Sequence, residues 1–445
     1  MNKYALPATC MGGRFLTLNT VVRVNQIEVT RDRNEGSDET ANHTPAAAEA
    51  FRAAIAEGWP GAQITWSFSW LALHSDAPNY RDIRALVKRY AAEFGDDVTF
   101  IPGAYFANMY NTREQVNQDL HDGLNAVSRF MGDGFRPKSV VAGYLAAENQ
   151  RYLAEAEGIH VCQGNIWSQL AIDNGDGDGS ISYPYYPSRE HFCKPAQGVA
   201  DFIDCVNLDG WTMDFLAARR EGFADGFNSR MGVGPIETLG KYGPEVGLQQ
   251  MMATTAVHFD RGFALNGFGW VTNCWELCLL AVIGHLECLT EWLRQIRARW
   301  PDARLITQGD FGNLWRQAYP SNAALDYRFE QTGTGIGGSD ADKRIRWFMN
   351  REFRLALLSE LDRPGSEVVI DFTRYDQPAR EPQGLSRNWT LFGDINQKQT
   401  RPQDRPRPIS QLSEEQRRLI FAHYPDVIQR GFPHPLRSSR KGREG

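Results

Sequence analysis

Five acidic residues stand where apolar runs give way to polar loops, and acid–base chemistry could be built on them. Glu148 follows the apolar run 139–142, Asp209 follows 202–208, Glu276 follows 263–271, Asp310 follows 304–307, and Asp32 follows 21–30. If those runs are parallel strands, their C-terminal loops are where barrel enzymes gather reacting groups. Two carboxyl groups facing one bond, one protonated and one ionised, are what hydrolysis of a glycosidic bond requires. Glu148 and Asp310 form the leading pair. Asp209 and Glu276 are reserves for catalysis or for binding sugar hydroxyls, and Asp32 for binding substrate or a metal. Each competes with a bland reading as helix cap or packing partner.

Other residues could serve recognition. The aromatic-rich run 63–70 delivers Trp66, Trp70 and His74 towards the same loop face, and strand register places Trp167 and Trp211 there too. Aromatic faces suit the C–H surface of a sugar, although most tryptophans are simply packed, and a lone histidine is more often structural than catalytic. In the acidic loop, Asn174, Asp176 and Asp178 alternate before Gly179, as in the start of a calcium-binding loop. Alternating oxygen ligands with a glycine at the turn are what Ca2+ wants. The twelfth position is Tyr185 rather than Glu, so a complete EF-hand is excluded, and a solvated acidic turn is the competing reading.

The elements that must hold these residues alternate between strand and helix. Runs at 23–30, 63–68, 98–101, 139–142 and 304–307 read as parallel strands separated by helical periodicity. Thr44 caps a helix that opens with Pro45 and stops at Gly58. Thr112 and Gln115 form a capping box, and Gly158 closes the helix that carries Glu148. A long apolar helix is expected from Asn273 to Trp300. From about Leu325 the pattern becomes short strand-like runs between Gly, Asp and Pro. The reading is therefore an α/β barrel over 1–320, a β-rich module over 321–400, and an extended tail over 401–445.

Bulk properties narrow the function. The chain has 445 residues, a formal charge of −6, 12 tryptophans and 7 irregularly spaced cysteines. The mild acidity excludes a nucleic-acid footprint, the cysteine pattern argues against a disulfide framework, and no apolar run reaches the length of a membrane span. No apolar segment follows Lys3, so the chain as written reads as cytoplasmic, or as periplasmic or secreted if a leader has been removed.

The stretch Phe135–Trp167 resembles the R-P-P-Y-G block of polysaccharide deacetylases, and Leu145-Ala146-Ala147-Glu148 within it is similar to the W-L-P-E block of family 57 glycoside hydrolases. The tryptophan and proline of the latter block are absent. Gly309-Asp310-Phe311-Gly312 resembles the D-D-G-E-K-F-G block of the same hydrolases, and Glu28–Asp32 resembles the T-F-D-D block that opens the deacetylase barrel. Both families belong to the glycoside hydrolase/deacetylase superfamily. The resemblance implies a bacterial (β/α)7-type barrel, eight-stranded in the alternative, with Glu148 as nucleophile and Asp310 as general acid/base of a retaining glycosidase. Its substrate would be an oligo- or polysaccharide, and no organic cofactor is implied. The deacetylases' H-x-x-x-H metal pair is missing, since Pro102–Phe106 stands in its place. The alternatives are a non-catalytic carbohydrate-binding protein on a degenerate barrel and an atypical polysaccharide deacetylase.

The acidic loop gives a first test. If Asn174, Asp176 and Asp178 hold Ca2+, the ion stabilises the folded state by mass action. The melting temperature should rise with added calcium and fall with chelator; an unchanged value in both would remove the site.

Overall fold

Arg14–Val22 forms β1, a nine-residue strand buried along almost its whole length. The computed structural model describes residues 11–29, 31, 33–132, 134–165, 179–221, 230–386, 388–391, 393, 395 and 406–430. β1 lies upstream of the 21–30 run expected from sequence. Thr17, Asn19 and Thr20 are buried in it and interrupt its apolar character, which hides the strand from a search for hydrophobic runs. The residues after it form a short antiparallel hairpin, β2 (Asn25–Ile27) with β3 (Glu35–Asp38).

Four strands gather around β1, all parallel to their partners. β4 (Thr65–Phe68) pairs with the second half of β1, and β5 (Asp97–Phe100) pairs with β4. β9 (Gly269–Cys274) runs along the other edge, and the three-residue β10 (Ala303–Leu305) fits beside the first residues of β1. A second parallel sheet holds β6 (Val140–Val141), β7 (Val161–Asn165) and β8 (Val206–Asp209). Hydrogen bonds join the two layers: Thr99 Oγ1 donates to the Ser139 carbonyl, and Thr212 N–H to the Thr272 carbonyl at 2.9 Å.

Helices cover these sheets. α1 (Pro45–Gly58) starts with Thr44 accepting from the Ala47 N–H, and α2 (Pro78–Phe94) ends on Gly95 in the left-handed region. α3 (Arg113–Met131) carries the expected Thr112–Gln115 capping box, and α4 (Ala147–Glu155) follows β6. α5 (Lys241–Ala256) precedes β9. The expected single helix after Glu276 is two, α6 (Leu277–Ile283) and α7 (Leu286–Arg299), broken where Gly284 and His285 take positive φ. α8 (Gln308–Ala318) packs its Gly312 on Val161, at the N-terminal end of β7. Among the described residues no helix is long and apolar enough to cross a membrane.

The C-terminal part is an antiparallel meander of β11 (Asp326–Thr332), β12 (Lys343–Asn350), β13 (Phe353–Glu360) and β14 (Val368–Arg374). Period-two alternation gives it two apolar faces. Tyr327, Phe329, Ile345 and Trp347 face Tyr183, Trp270 and Trp315 of the preceding part. Phe348, Phe353, Leu355 and Phe372 take Ile420, Tyr424 and Val427 from the end of the chain. Ile420 lies in α9 (Glu414–His423), Val427 in α10 (Pro425–Arg430) and Tyr424 between them, so this region is not the extended tail expected from its Pro and Arg content. Ile420, Tyr424 and Val427 recur at helical spacing, and the sheet face supplies what they pack against.

One buried ion pair ties β4 to α1. Asp96 accepts from Arg52 Nε at 2.9 Å, from Trp66 Nε1 at 3.0 Å and from the Ile64 N–H at 3.1 Å. Replacing Asp96 with Ala leaves a buried guanidinium uncompensated. The expected loss is about 3–5 kcal/mol of folding stability, readable as a lower urea midpoint with an unchanged slope.

Candidate active site

The C-terminal end of β1 delivers Arg23, with 4% of its surface exposed. Its guanidinium donates from Nε and Nη2 to the two carboxylate oxygens of Glu39 at 2.6 and 2.9 Å, and from Nη2 to Glu276 Oε2 at 2.7 Å. Glu276 follows β9 and sits at the N-cap of α6, so one guanidinium closes the ends of two neighbouring strands. Burial alone would lower the Arg23 pKa, but Glu276 and Glu39 outweigh it and hold the cation well above its ordinary value. Ligand atoms of Glu39, His43 and Cys278 lie within 4.8 Å of one another. These groups do not suit a metal: Glu39 is spent on Arg23, and both His43 ring nitrogens face backbone atoms.

Tyr105 projects into the same place from the loop after β5. Gly103, Ala104 and Tyr105 are consecutive residues with φ of 60, 47 and 84°. Two of them are not glycine, a strained arrangement of the kind that collects at functional sites. The strain places the Tyr105 hydroxyl 2.9 Å from Cys274 Sγ and its ring 5.7 Å from that of Trp211. Gly143, at φ 68°, makes room for it, since a Cβ there would stand 2.8 Å from the Tyr105 carbonyl oxygen. Burial pushes the Tyr105 phenol and the Cys274 thiol far up, so Cys274 is a neutral thiol rather than a nucleophilic thiolate. Asp209 ends β8, is 2% exposed and accepts from the Gly210 N–H at 2.7 Å. Trp211, two residues on, packs between Tyr105 and Arg230, which pairs with Glu237 at 2.8 Å.

Glu148 lies in the first turn of α4, with 45% of its side chain exposed and Arg113 Nε 3.8 Å away. A residue from the C-terminal part fixes this corner. Glu381 accepts from the N–H groups of Ala147 at 2.8 Å and Phe192 at 2.9 Å, and from Arg113 Nη2 at 2.9 Å. Burial raises the Glu381 carboxyl against the pull of these donors. Trp389 adds a ring 5.9 Å from Tyr144, under the guanidinium of Arg113.

The expected pairing of Glu148 with Asp310 is not formed. Asp310 is at the start of α8, where Thr307 Oγ1 accepts from its N–H and donates to its carboxylate, and Lys138 Nζ reaches both carboxylate oxygens at 2.9 and 3.1 Å. Lys138 precedes β6 and Glu148 follows it, so the two acids lie at opposite ends of the strands. Thr307 is the N-cap of α8, and Asp310 stands in its first turn as the partner of Thr307 and Lys138. Trp66 is likewise core: its ring meets Phe51 of α1 and Tyr90 of α2, on the helix side of β4. Trp70 and His74 stack on each other at 3.9 Å, with Arg31 over the indole, at the edge of the loop face. Asp32, Trp167, Asn174, Asp176 and Asp178 lie outside the described residues. Sequence reasoning missed Arg23, Glu39, Tyr105 and Glu381; placing β1 at 14–22 would have made Arg23 its first residue beyond the strand end.

Residues 8–349 match the family model described as a domain of unknown function with solved structure, DUF3863. The chain belongs to that family. Residues 354–427 match a second model of the same description, DUF3864, so the border between the two falls between paired strands of one sheet. A crystal structure of a candidate glycoside hydrolase/deacetylase from Parabacteroides distasonis is 46% identical, covers 95% of this chain and 100% of its own, and superposes with a TM-score of 0.89. Similar structures also include a probable polysaccharide deacetylase from Pseudomonas aeruginosa PAO1, at 11% identity, 71% and 94% coverage and a TM-score of 0.45. A GH57-type branching enzyme from Pyrococcus horikoshii matches at 9% identity, 68% and 70% coverage and a TM-score of 0.41. None of the curated proteins matches the chain.

Arg23→Met tests the electrostatics of the site. Without the guanidinium, Glu39 and Glu276 face each other buried and unpaired. The variant should therefore lose about 3–5 kcal/mol of folding stability, readable as a lower denaturant midpoint in melts run beside wild type.

Proposed function

We propose that the protein is a carbohydrate-active hydrolase that cleaves glycosidic bonds at the face formed by the C-terminal ends of β1 and β4–β9. The reading takes these seven strands as a (β/α)7-type barrel, with β10 wedged beside β1. The observation that carries it is the Glu276 carboxylate, 2.7 Å from a buried guanidinium and next to the aromatic pair Tyr105–Trp211. The relative that is 46% identical supports carbohydrate chemistry through its description.

In this reading Glu148 is the nucleophile, as the family 57 resemblance implies, and Glu276 takes the second role that Asp310 vacates. As acid/base, Glu276 gives its proton to the leaving glycosidic oxygen in the first step, and its carboxylate, 2.7 Å from Arg23, takes a proton from the water that hydrolyses the glycosyl ester on Glu148 in the second. The buried rim of Trp211 and Tyr105 supplies apolar surface for a sugar ring, and Asp209 an acceptor for its hydroxyls. An ionised base aimed at water would also serve removal of an acetyl group, and this is the second reading.

The test uses oligosaccharide panels with and without acetyl groups, reading new reducing ends and released acetate separately. Wild type should release reducing ends. Glu148→Gln and Glu276→Gln should each lower kcat by about 10²–10⁴-fold, with sugar affinity kept within a few-fold. Acetate without reducing ends would move the assignment to deacetylation. Binding without turnover in wild type, or full activity in both variants, would overturn the catalytic reading.

A further inference from the structure

Inside the strand layer is a row of polar side chains that neither the mouth nor the core explains. Trp66 and Phe68 of β4 face the helices, against Phe51, Tyr90 and Phe130, and Phe100 of β5 packs on Gly123 of α3. Alternation along each strand turns Thr65, Ser67, Asp97 and Thr99 the opposite way, off the helices. Parallel register sets Asn19 of β1 beside Thr65, and Thr65 beside Asp97. Gln308, at the start of α8, joins this row through its backbone N–H, 3.2 Å from Thr65 Oγ1.

These groups are buried and unsatisfied together. Asn19, Ser67, Asp97 and Gln308 are at most 2% exposed. Both carboxylate oxygens of Asp97, both amide atoms of Asn19 and Gln308, and the Ser67 hydroxyl have no hydrogen-bond partner among the described residues. The Lys138 ammonium, itself held by Asp310, and the backbone N–H groups of Val98 and Lys138 pull the Asp97 carboxyl down, but burial outweighs them. Burial pushes the Asp97 carboxyl up to about 7. Natural interiors rarely leave one such group unpaired, and a buried carboxylate needs a countercharge as well as hydrogen bonds.

We propose that Asn19, Asp97 and Gln308, with the hydroxyls of Thr65 and Ser67, bind a monovalent cation of sodium or potassium size. The donors are all oxygens, the ligands a hard cation takes, once the two amides turn their carbonyl oxygens inward. Water would satisfy the hydrogen bonds but leave the charge. A divalent ion would leave excess positive charge against a single carboxylate. The cation neutralises Asp97 and ties β1, β4, β5 and α8 to one centre on the side of the strands away from Glu276.

The site is tested on the intact chain. Melting is followed in sodium, potassium and choline chloride at equal ionic strength and pH 8, and crystals are soaked in rubidium or thallium(I) chloride. The melting temperature should rise with the concentration of the preferred alkali ion relative to choline, and an anomalous peak should appear between Asn19, Asp97 and Gln308. At pH 5.5, where a proton competes for Asp97, the alkali dependence should weaken. Asp97→Asn should abolish it; should that variant fail to fold, Ser67→Ala should shift the half-saturating concentration upward several-fold. Equal melting temperatures in the three salts, or density for water alone at the site, would overturn the proposal.

Discussion

A single buried guanidinium sets the terms for the loop face. Arg23 is the first residue beyond β1, and its bonds to Glu39 and Glu276 join that strand end to the hairpin after it and to the end of β9. Two buried carboxylates within reach of each other are tolerable because a cation stands between them; without it, desolvation and like-charge repulsion act in the same direction. The rest of the mouth is fitted around that triad. Tyr105 approaches it in a strained loop, Gly143 lacks the Cβ that would block the approach, and Trp211 packs against the Tyr105 ring.

The C-terminal sheet is more than an attachment to the part that carries these residues. Tyr327, Phe329 and Trp347 on one face share a core with Tyr183, Trp270 and Trp315. From beyond β14 the chain returns to place Glu381 on the N-terminus of α4 and Trp389 beside Tyr144. A carboxylate at a helix N-terminus meets unsatisfied N–H groups and the positive end of the helix dipole. Glu381 uses both, and it orders Arg113, the guanidinium that faces Glu148. The corner that carries Glu148 is thus built from both parts of the chain.

The polar interior and the polar mouth follow from the same property of the strands. Thr17, Asn19, Thr65, Ser67, Asp97 and Thr99 are buried polar residues on the parallel strands. Their counterparts on the helix side, Trp66, Phe68 and Phe100, carry the apolar packing instead. The strands therefore bury one apolar face against helices and one polar face against each other, and unpaired hydrogen-bonding capacity accumulates where the polar faces meet.

Much of the local structure was legible in the sequence because its causes are local. The Thr44–Pro45 start of α1, the Thr112–Gln115 capping box of α3, the glycine stop after α4 and the change to strand-like runs near Leu325 each depend on a few neighbouring residues. The runs of β4, β5 and β6 are legible to within a few residues because Trp66, Phe68, Val98, Phe100, Val140 and Val141 mark them. β1 is not, because Thr17, Asn19 and Thr20 break up its apolar residues. Which acids share a site was a tertiary decision. Glu148, Glu276 and Asp310 all follow strands, but α8 begins at the opposite end of the strand layer, where Lys138 claims Asp310. Arg23 and Glu276 lie 253 residues apart and meet at 2.7 Å. Sequence fixes residue types and spacing along the chain; only the register of β1 against β9 brings that cation and that carboxylate into contact.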